Sequence, residues 1–128
     1  MNIEAIQTPN APTPAGHYSQ AIVHNGVIYV AGQLPIDPVT GEKLLGSIEA
    51  QTERTLRNLE AILNAANSDL SRVLKMTVYV SDISQWPAVN ATYARVMGDH
   101  KPARAIVPVK ELHYGFLIEI DAIAAVNS

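Results

Sequence analysis

The chain turns back on itself in the stretch 20–31, which reads QAIVHNGVIYVA. Two apolar segments flank the dipeptide Asn25-Gly26, which readily adopts the positive backbone angles of a two-residue hairpin turn. We therefore predict a pair of antiparallel strands over 20–24 and 27–31. This hairpin is part of the predicted sheet. A short edge strand over 1–6 precedes it in the sequence.

Two helices are predicted after the hairpin. The first spans 48–66: Ser47 can cap its N-terminus, and apolar side chains recur at helical spacing along one stripe. The second opens at Ser84, tolerates Pro87 in its first turn and ends before Gly98, because glycine suits the position past a helix end.

Three further strands complete the pattern. One spans 73–80 and alternates between two sets of side chains, Leu74, Met76, Val78 and Val80 on one side and Lys75, Thr77 and Tyr79 on the other. Another covers 105–109, directly after Arg104, and the last contains Glu119. This order of elements predicts an α+β fold with the helices on one face of a sheet.

The second face of such a sheet would be left uncovered. Apolar or half-polar side chains are expected there, namely Val30, Tyr79, Leu117 and Ile123. Because large exposed apolar patches usually mark interfaces, we predict a homo-oligomer with a site at the subunit boundary.

The composition limits the class of protein. With 128 residues, 48% of them hydrophobic, the chain is expected to form a single domain over 1–128. The net charge is -3 and no cluster of Lys or Arg occurs, so nucleic-acid binding is not predicted. The first 20 residues resemble neither a signal peptide nor a membrane span, and we predict a cytoplasmic protein without membrane contact.

The residues or motifs that several kinds of functional site require are absent from the sequence. There is no cysteine, which excludes disulfides and a thiol nucleophile. The four histidines have no short metal-ligand spacing, so no metal site is predicted. Neither a phosphate-binding loop nor a nucleophilic serine elbow is present.

Arg104 is the first candidate functional residue. It stands at the start of an apolar strand, where a guanidinium must reach water or bind an anion, and its planar shape suits a carboxylate. Glu119 interrupts a later apolar strand. If the two strands meet at one cleft, an anion site would lie beside a carboxylate that can orient water.

Each candidate also has a simpler interpretation. Arg104 alone is compatible with a surface or interface ion pair. Glu119 and Asp121 are compatible with a solvated face opposite Ile118 and Ile120. Tyr18 can pack on its turn, and Asn90 can be a polar residue beside the apolar stripe of its helix.

The order of several short motifs is more specific than any one of them. The chain resembles the Rid family of enamine/imine deaminases, also called the YjgF/YER057c/UK114 family, over almost its entire length. The matching stretches are Tyr18-Ser19-Gln20-Ala21, Gly32-Gln33-Leu34-Pro35, Ile48-Glu49-Ala50-Gln51-Thr52, Asn58-Leu59, Val89-Asn90-x-x-Tyr93, His100-Lys101-Pro102-Ala103-Arg104 and Ile118-Glu119-Ile120-Asp121-Ala122-Ile123-Ala124.

The resemblance implies both a fold and a reaction. The fold is chorismate-mutase-like (bacillus type), a mixed six-stranded sheet with two helices on one face, three copies of which close a trimeric barrel with clefts between subunits. The reaction is the hydrolysis of 2-imino or enamino acids, such as 2-aminoacrylate/2-iminopropanoate and 2-iminobutanoate, to 2-keto acids and ammonia. No cofactor is implied.

The resemblance also implies the roles of particular residues. Arg104 would bind the substrate carboxylate, Glu119 would position water, and Tyr18 would line the cleft. Asn90 would lie near the site, and the backbone at Gly32 would line the pocket.

Three positions depart from the family pattern. Many deaminating members have Ser where Ala31 stands, Cys, Ser or Thr at Ile106, and Pro at His17. The side-chain hydroxyl or thiol is lost at Ala31 and Ile106, although the backbone groups stay in place. The drier pocket favours a changed substrate range or a weaker activity.

Two alternatives to the imine deaminase follow from these departures. One is a hydrolase of another enamine, such as an aminomuconate. The other is a trimer that binds a keto acid for regulation without turnover. RNA cleavage, which has been attached to the family, is not favoured by the acidic charge balance.

Overall fold

The computed structural model describes residues 2–128 and confirms the α+β fold. Its strands and α-helices are β1 (Glu4–Ile6), β2 (Ala21–His24), β3 (Val27–Gln33), α1 (Ile48–Ala65), β4 (Val73–Val80), α2 (Trp86–Met97), β5 (Ala103–Pro108) and β6 (Ile118–Ala125). Met1, part of the predicted first strand, lies outside the described residues.

All six strands form one mixed sheet in the order β1-β2-β3-β6-β4-β5. The pair β4–β5 is parallel, and the other neighbours are antiparallel. Because β6 inserts between β3 and β4, the last strand of the chain occupies the centre of the sheet. Strand β5, which was predicted to start after Arg104, lies at the opposite edge from β1 and begins at Ala103, two residues earlier than predicted, so that it includes Arg104.

The hairpin turn has the predicted geometry. Asn25 and Gly26 have φ angles of 53° and 77°, and His24 pairs with Val27 on either side of them. Positive φ at both central residues is the arrangement whose twist matches that of two adjacent strands.

Helix α1 is capped as predicted and also anchors loops through buried polar side chains. Ser47 accepts a hydrogen bond from the Ala50 backbone N–H. Asn58 donates from Nδ2 to the carbonyl oxygens of Leu34 and Ile36, at 3.0 and 2.9 Å. Such bonds replace those that the loop backbone would otherwise make with water.

The second helix begins at Trp86 instead of Ser84. Residues 83–85 form a separate 3₁₀ turn, because the Asp82 side chain accepts from the Ser84 backbone N–H and caps that turn. Pro87 lies in the first turn of α2, and Gly98 follows the helix with φ of 65°, both as predicted.

Three apolar positions do not lie where the alternation placed them. Leu74 is 50% exposed, because the pairing of β4 with β6 shifts register between Val73 and Lys75 and breaks the alternation there. Val30 was predicted on the uncovered face but is buried in the core. Leu117, also predicted there, is half-buried and packs against the core.

Both α-helices pack on one face of the sheet, as predicted. The other face carries Tyr29, Tyr79, Glu119, Asp121 and Ile123, and no helix among residues 2–128 covers it. We call this set the open face. Among residues 2–128, no helix combines the length and apolar character needed to cross a membrane.

Candidate functional site

Arg104 is held by one face of helix α2. Its guanidinium carbon lies 4.7 Å from the ring centroid of Trp86 and 4.9 Å from that of Tyr93. Nη1 donates to Oδ1 of Asn90 at 3.0 Å. The three partners are spaced by four and three residues, which places them on one side of a helix. We call these four residues the Arg104 cluster.

The positive charge of Arg104 has no carboxylate partner within the part of the chain that the structure describes. None of the ion pairs formed among residues 2–128 includes it, since they link Arg57 and Arg95 to Glu53 and Glu60. Of the two simpler interpretations of Arg104, a surface ion pair is not formed among residues 2–128, and an ion pair across an interface stays a prediction. Asn90 and the aromatic rings orient the guanidinium without neutralising it, which leaves a cation free to bind an external anion.

A cavity of about 420 Å³ lies beside the Arg104 cluster. Its lining includes Asn90, Tyr93, His100, Lys101 and Arg104. The Tyr93 hydroxyl is buried and has no hydrogen-bond partner among residues 2–128. Burial raises the pKa of Tyr93, and the charge of Arg104 partly opposes that shift.

Glu119 projects from β6 onto the open face and lies against Gly32. An ideal Cβ built at Gly32 would lie 3.1 Å from Cδ of Glu119, closer than carbon atoms normally approach. The pairing of β3 with β6 shifts register between Val30 and Gln33, and Gly32 lies in that irregular stretch. The absence of a side chain at Gly32 therefore makes the space that the Glu119 carboxylate occupies.

The Glu119 carboxyl has an unusual electrostatic environment. Burial raises its pKa above the ordinary value, the charge of His113 opposes this shift, and the charge of Asp121 adds to it. Asp121 in turn accepts a hydrogen bond from the Tyr79 hydroxyl at 3.1 Å. A half-buried carboxylate with a raised pKa is a stronger base than an exposed one.

Tyr18 and Gly32 line a second cavity, of about 250 Å³, together with His113 and Tyr114. The Tyr18 ring is half-exposed, and its hydroxyl accepts from the Ala15 backbone N–H at 3.4 Å. The tyrosine thus packs on its own turn and also faces the cavity. We call Tyr18, Gly32, Glu119 and His113 the Glu119 cluster.

One chain does not bring Arg104 and Glu119 into one cleft. Arg104 pairs with Met76 of β4, whose side chain is buried on the helix-covered side. Glu119 pairs with Tyr79 of the same strand, on the open face. Side chains at register partners point to the same side, so the two clusters lie on opposite sides of the sheet with β4 between their strands.

Of the three departures from the family pattern, Ile106 lies beside the Arg104 cluster and Ala31 beside the Glu119 cluster. Ile106 is half-buried and pairs with Val78, on the same side of β5 as Arg104. Ala31 lies beside Gly32. Its backbone N–H donates to the Gln20 carbonyl at 2.9 Å, and its own carbonyl accepts from Gln33 Nε2 at 3.1 Å. The backbone groups of Ala31 are therefore already used within the chain.

Four residues of these clusters and cavities were not predicted as site residues from the sequence, namely Trp86, Tyr93, His113 and Tyr114. The spacing from Trp86 to Asn90 and Tyr93 was a usable signal, because it defines one helix face. No sequence pattern marked His113 and Tyr114 as site residues, because they lie in an irregular turn. Across residues 2–128, no three His, Asp or Glu side chains converge as metal ligands would.

Comparisons with known proteins identify the family and several similar chains. A family model described as endoribonuclease L-PSP matches residues 8–126. RutC family protein PH0854 of Pyrococcus horikoshii is 49% identical over 94% of this chain and 96% of its own. The putative regulator AldR of Lactococcus lactis is 40% identical over 98% of this chain and 100% of its own.

Solved structures show the same fold. The Rid-family protein YyfA of Yersinia pestis has a TM-score of 0.95 and 40% identity, covering 98% of this chain and 100% of its own. E. coli TdcF, crystallised with bound serine, has a TM-score of 0.92 and 31% identity, covering 97% and 99%.

Proposed function

The chain belongs to the endoribonuclease L-PSP family, which includes the Rid and YjgF proteins, and from this we propose that it is an enamine/imine deaminase. It would hydrolyse small 2-imino or enamino acids to 2-keto acids and ammonia, in the cytoplasm and without a cofactor. The observation that carries the proposal is the Arg104 guanidinium, oriented by Asn90 and two aromatic rings and free of any carboxylate of residues 2–128.

A 2-imino acid presents the groups that this site suits. Its carboxylate can accept two parallel hydrogen bonds from Arg104, which fixes the neighbouring imine carbon in space. E. coli TdcF was crystallised with serine, which carries a carboxylate beside a nitrogen-bearing carbon in the same way. That neighbour supports a ligand of this size and charge for the present chain.

The second reacting group must come from another copy of the chain, because Arg104 and Glu119 lie on opposite sides of the sheet. We infer a homotrimer in which the Arg104 cluster of one protomer faces the Glu119 cluster of the next. The open face, with Tyr29 half-exposed and Ile123 beside it, offers the apolar surface for such packing.

The chemistry then needs few groups. A protonated imine is already electrophilic, and a water molecule adds its oxygen to the imine carbon while Glu119 accepts a proton from it. Glu119 returns that proton to the amino nitrogen of the resulting carbinolamine. The carbon–nitrogen bond then breaks as the hydroxyl loses its proton and becomes the keto group, so ammonia leaves and the 2-keto acid remains. Most of the rate gain comes from holding the carbon and the water together.

The test of the activity generates 2-iminopropanoate in place with an amino-acid oxidase and follows its loss. We expect Arg104→Ala and Glu119→Gln to lower the rate roughly 10²- to 10⁴-fold, the range for losing a positioned acid–base group. Arg95→Ala is the matched control, because it removes a surface arginine whose partner is Glu53. A rate for Arg104→Ala equal to that of Arg95→Ala would refute the proposal.

The shared site has its own test, the mixing of two inactive variants. In trimers assembled from equal amounts of Arg104→Ala and Glu119→Gln chains, about one site in four, on the order of 25%, receives both natural residues from different protomers. Activity near that fraction of wild type is expected. No recovery in mixed trimers would show that the two residues do not act across a subunit boundary.

A regulatory role is the second candidate, favoured by the 40% identity with the putative regulator AldR. In this case the same site would bind a 2-keto acid without turnover. Tight binding of pyruvate or 2-oxobutanoate in calorimetry, with no imine consumed, would favour it, and a panel of enamines would distinguish an aminomuconate hydrolase.

A further inference from the structure

The turn between β5 and β6 presents two aromatic side chains at the second cavity. His113 and Tyr114 line this cavity together with Tyr18 and Gly32. Tyr114 has φ of 59° and ψ of 17°, a left-handed conformation that bulky side chains rarely adopt. Strained residues of this kind persist where surrounding contacts hold them, and they cluster at functional sites.

Identifiable contacts hold the turn in place. Phe116 is buried, and its backbone N–H donates to the His113 carbonyl at 3.0 Å. The Tyr114 ring contacts the Phe116 ring edge-on at a centroid distance of 5.7 Å, and the Lys43 ammonium lies 4.5 Å from the Tyr114 centroid. His113 is therefore fixed at its position by a buried anchor three residues on, Phe116.

His113 reaches the Glu119 region through the second cavity, which it lines together with Gly32, the residue that the Glu119 carboxylate lies against. It lowers the pKa of that carboxyl, against the effects of burial and of Asp121. The other titratable groups nearby do not supply a positive charge: Tyr79 reaches across from β4 to Asp121, and Tyr18 lies on the far wall of the cavity. Lys43 is engaged on the Tyr114 ring.

We propose that His113 is a positioning residue for the deaminase, whose imidazolium keeps Glu119 in the anionic form that accepts a proton from water. The proposal rests on the proposed function. Histidine carries its charge on the acidic side of neutrality, which is where a carboxyl with a raised pKa would otherwise begin to take up a proton. His113 would thus extend the activity toward acidic pH.

The first test is the dependence of kcat/KM on pH. In His113→Gln the acidic limb is expected to move to higher pH, with a severalfold lower rate near pH 5 and a rate within about twofold of wild type near pH 8, where imidazole is neutral. His113→Lys restores a positive charge and is expected to return the limb to its wild-type position. His24→Gln is the matched control, since His24 lies on β2 away from both cavities.

The second test measures the protonation of Glu119 directly and does not depend on imine hydrolysis. Its outcome is therefore independent of whether the proposed deaminase function is correct. The carboxyl carbon of Glu119, assigned in the ¹³C NMR spectrum by its loss in Glu119→Gln, is titrated in each variant. A higher midpoint in His113→Gln, with a wild-type midpoint in His113→Lys, supports the proposal even if no imine is hydrolysed. An unchanged midpoint in His113→Gln, or the same increase in His113→Lys, overturns it.

Discussion

Gly32→Ala tests the arrangement of the Glu119 cluster with a single methyl group. The new Cβ would overlap the Glu119 carboxylate and lie 3.1 Å from its Cδ and 3.4 Å from its Cγ. Gly32 does not have a positive φ, so alanine can adopt the backbone conformation there. The contact with Glu119 is therefore the main obstacle to the substitution, and the carboxylate must move aside.

The magnitudes follow from that contact. Forcing an extra carbon into occupied space costs about 1–3 kcal/mol of folding free energy. Moving the carboxylate away from its position should lower kcat/KM by roughly 10²-fold or more, approaching the loss in Glu119→Ala. In the Glu119→Ala background the overlapping atoms are gone, and Gly→Ala in a strand is then neutral or stabilising by up to about 1 kcal/mol.

The assay is a double-mutant cycle in urea denaturation, with imine turnover measured on the same four proteins. Gly46→Ala is the control, because nothing lies within 4 Å of a Cβ at that position. Equal destabilisation by Gly32→Ala in both backgrounds, or wild-type activity of Gly32→Ala, would show that Glu119 does not occupy the space beside Gly32.

Three other predictions address the anion site, the stability and the substrate range. Trp86 is the one tryptophan of the chain and lies 4.7 Å from Arg104, so pyruvate binding should change its fluorescence, and Arg104→Ala should abolish that change. Asn58→Ala leaves the carbonyls of Leu34 and Ile36 without their donor and should lower the free energy of unfolding by about 2–4 kcal/mol in urea denaturation. Ile106→Ser introduces a hydroxyl beside Arg104 and should raise the rate with 2-iminopropanoate relative to bulkier imino acids; equal ratios before and after would contradict this role.

The raised pKa of Glu119 also predicts how stability depends on pH. A carboxyl whose pKa is higher in the folded state contributes most to stability when it is protonated, and the contribution is lost as pH rises through the folded pKa. At pH 7, Glu119→Gln should therefore unfold at a higher temperature than wild type, with the difference shrinking as pH falls below the ordinary range of a glutamate. A difference independent of pH would contradict the burial argument.

Local patterns predicted most of the elements. Asn25-Gly26 specified its turn because few dipeptides tolerate two positive φ angles, and Ser47 marked the start of α1 because it satisfies a free N–H. The apolar stripe of α1 and the strand over 73–80 followed from simple periodicity. The errors at Ser84 and Leu74 came from a competing cap and from a register shift, neither of which periodicity contains. The alternation of β3, by contrast, puts Val30 on the buried side with Ile28.

For the candidate site, too, the sequence supplied one part of the information and the tertiary structure another. The sequence by itself determined the family, through the order of its motifs, and it predicted Arg104 and Glu119 as the candidate residues because they are charges placed in apolar strands. Tertiary structure decided where they lie: β6 inserts between β3 and β4, and the register with β4 puts the two side chains on opposite sides of the sheet. Strand order depends on contacts between residues far apart in the chain, so no local pattern could reveal that Arg104 and Glu119 lie on opposite sides of the sheet within one copy.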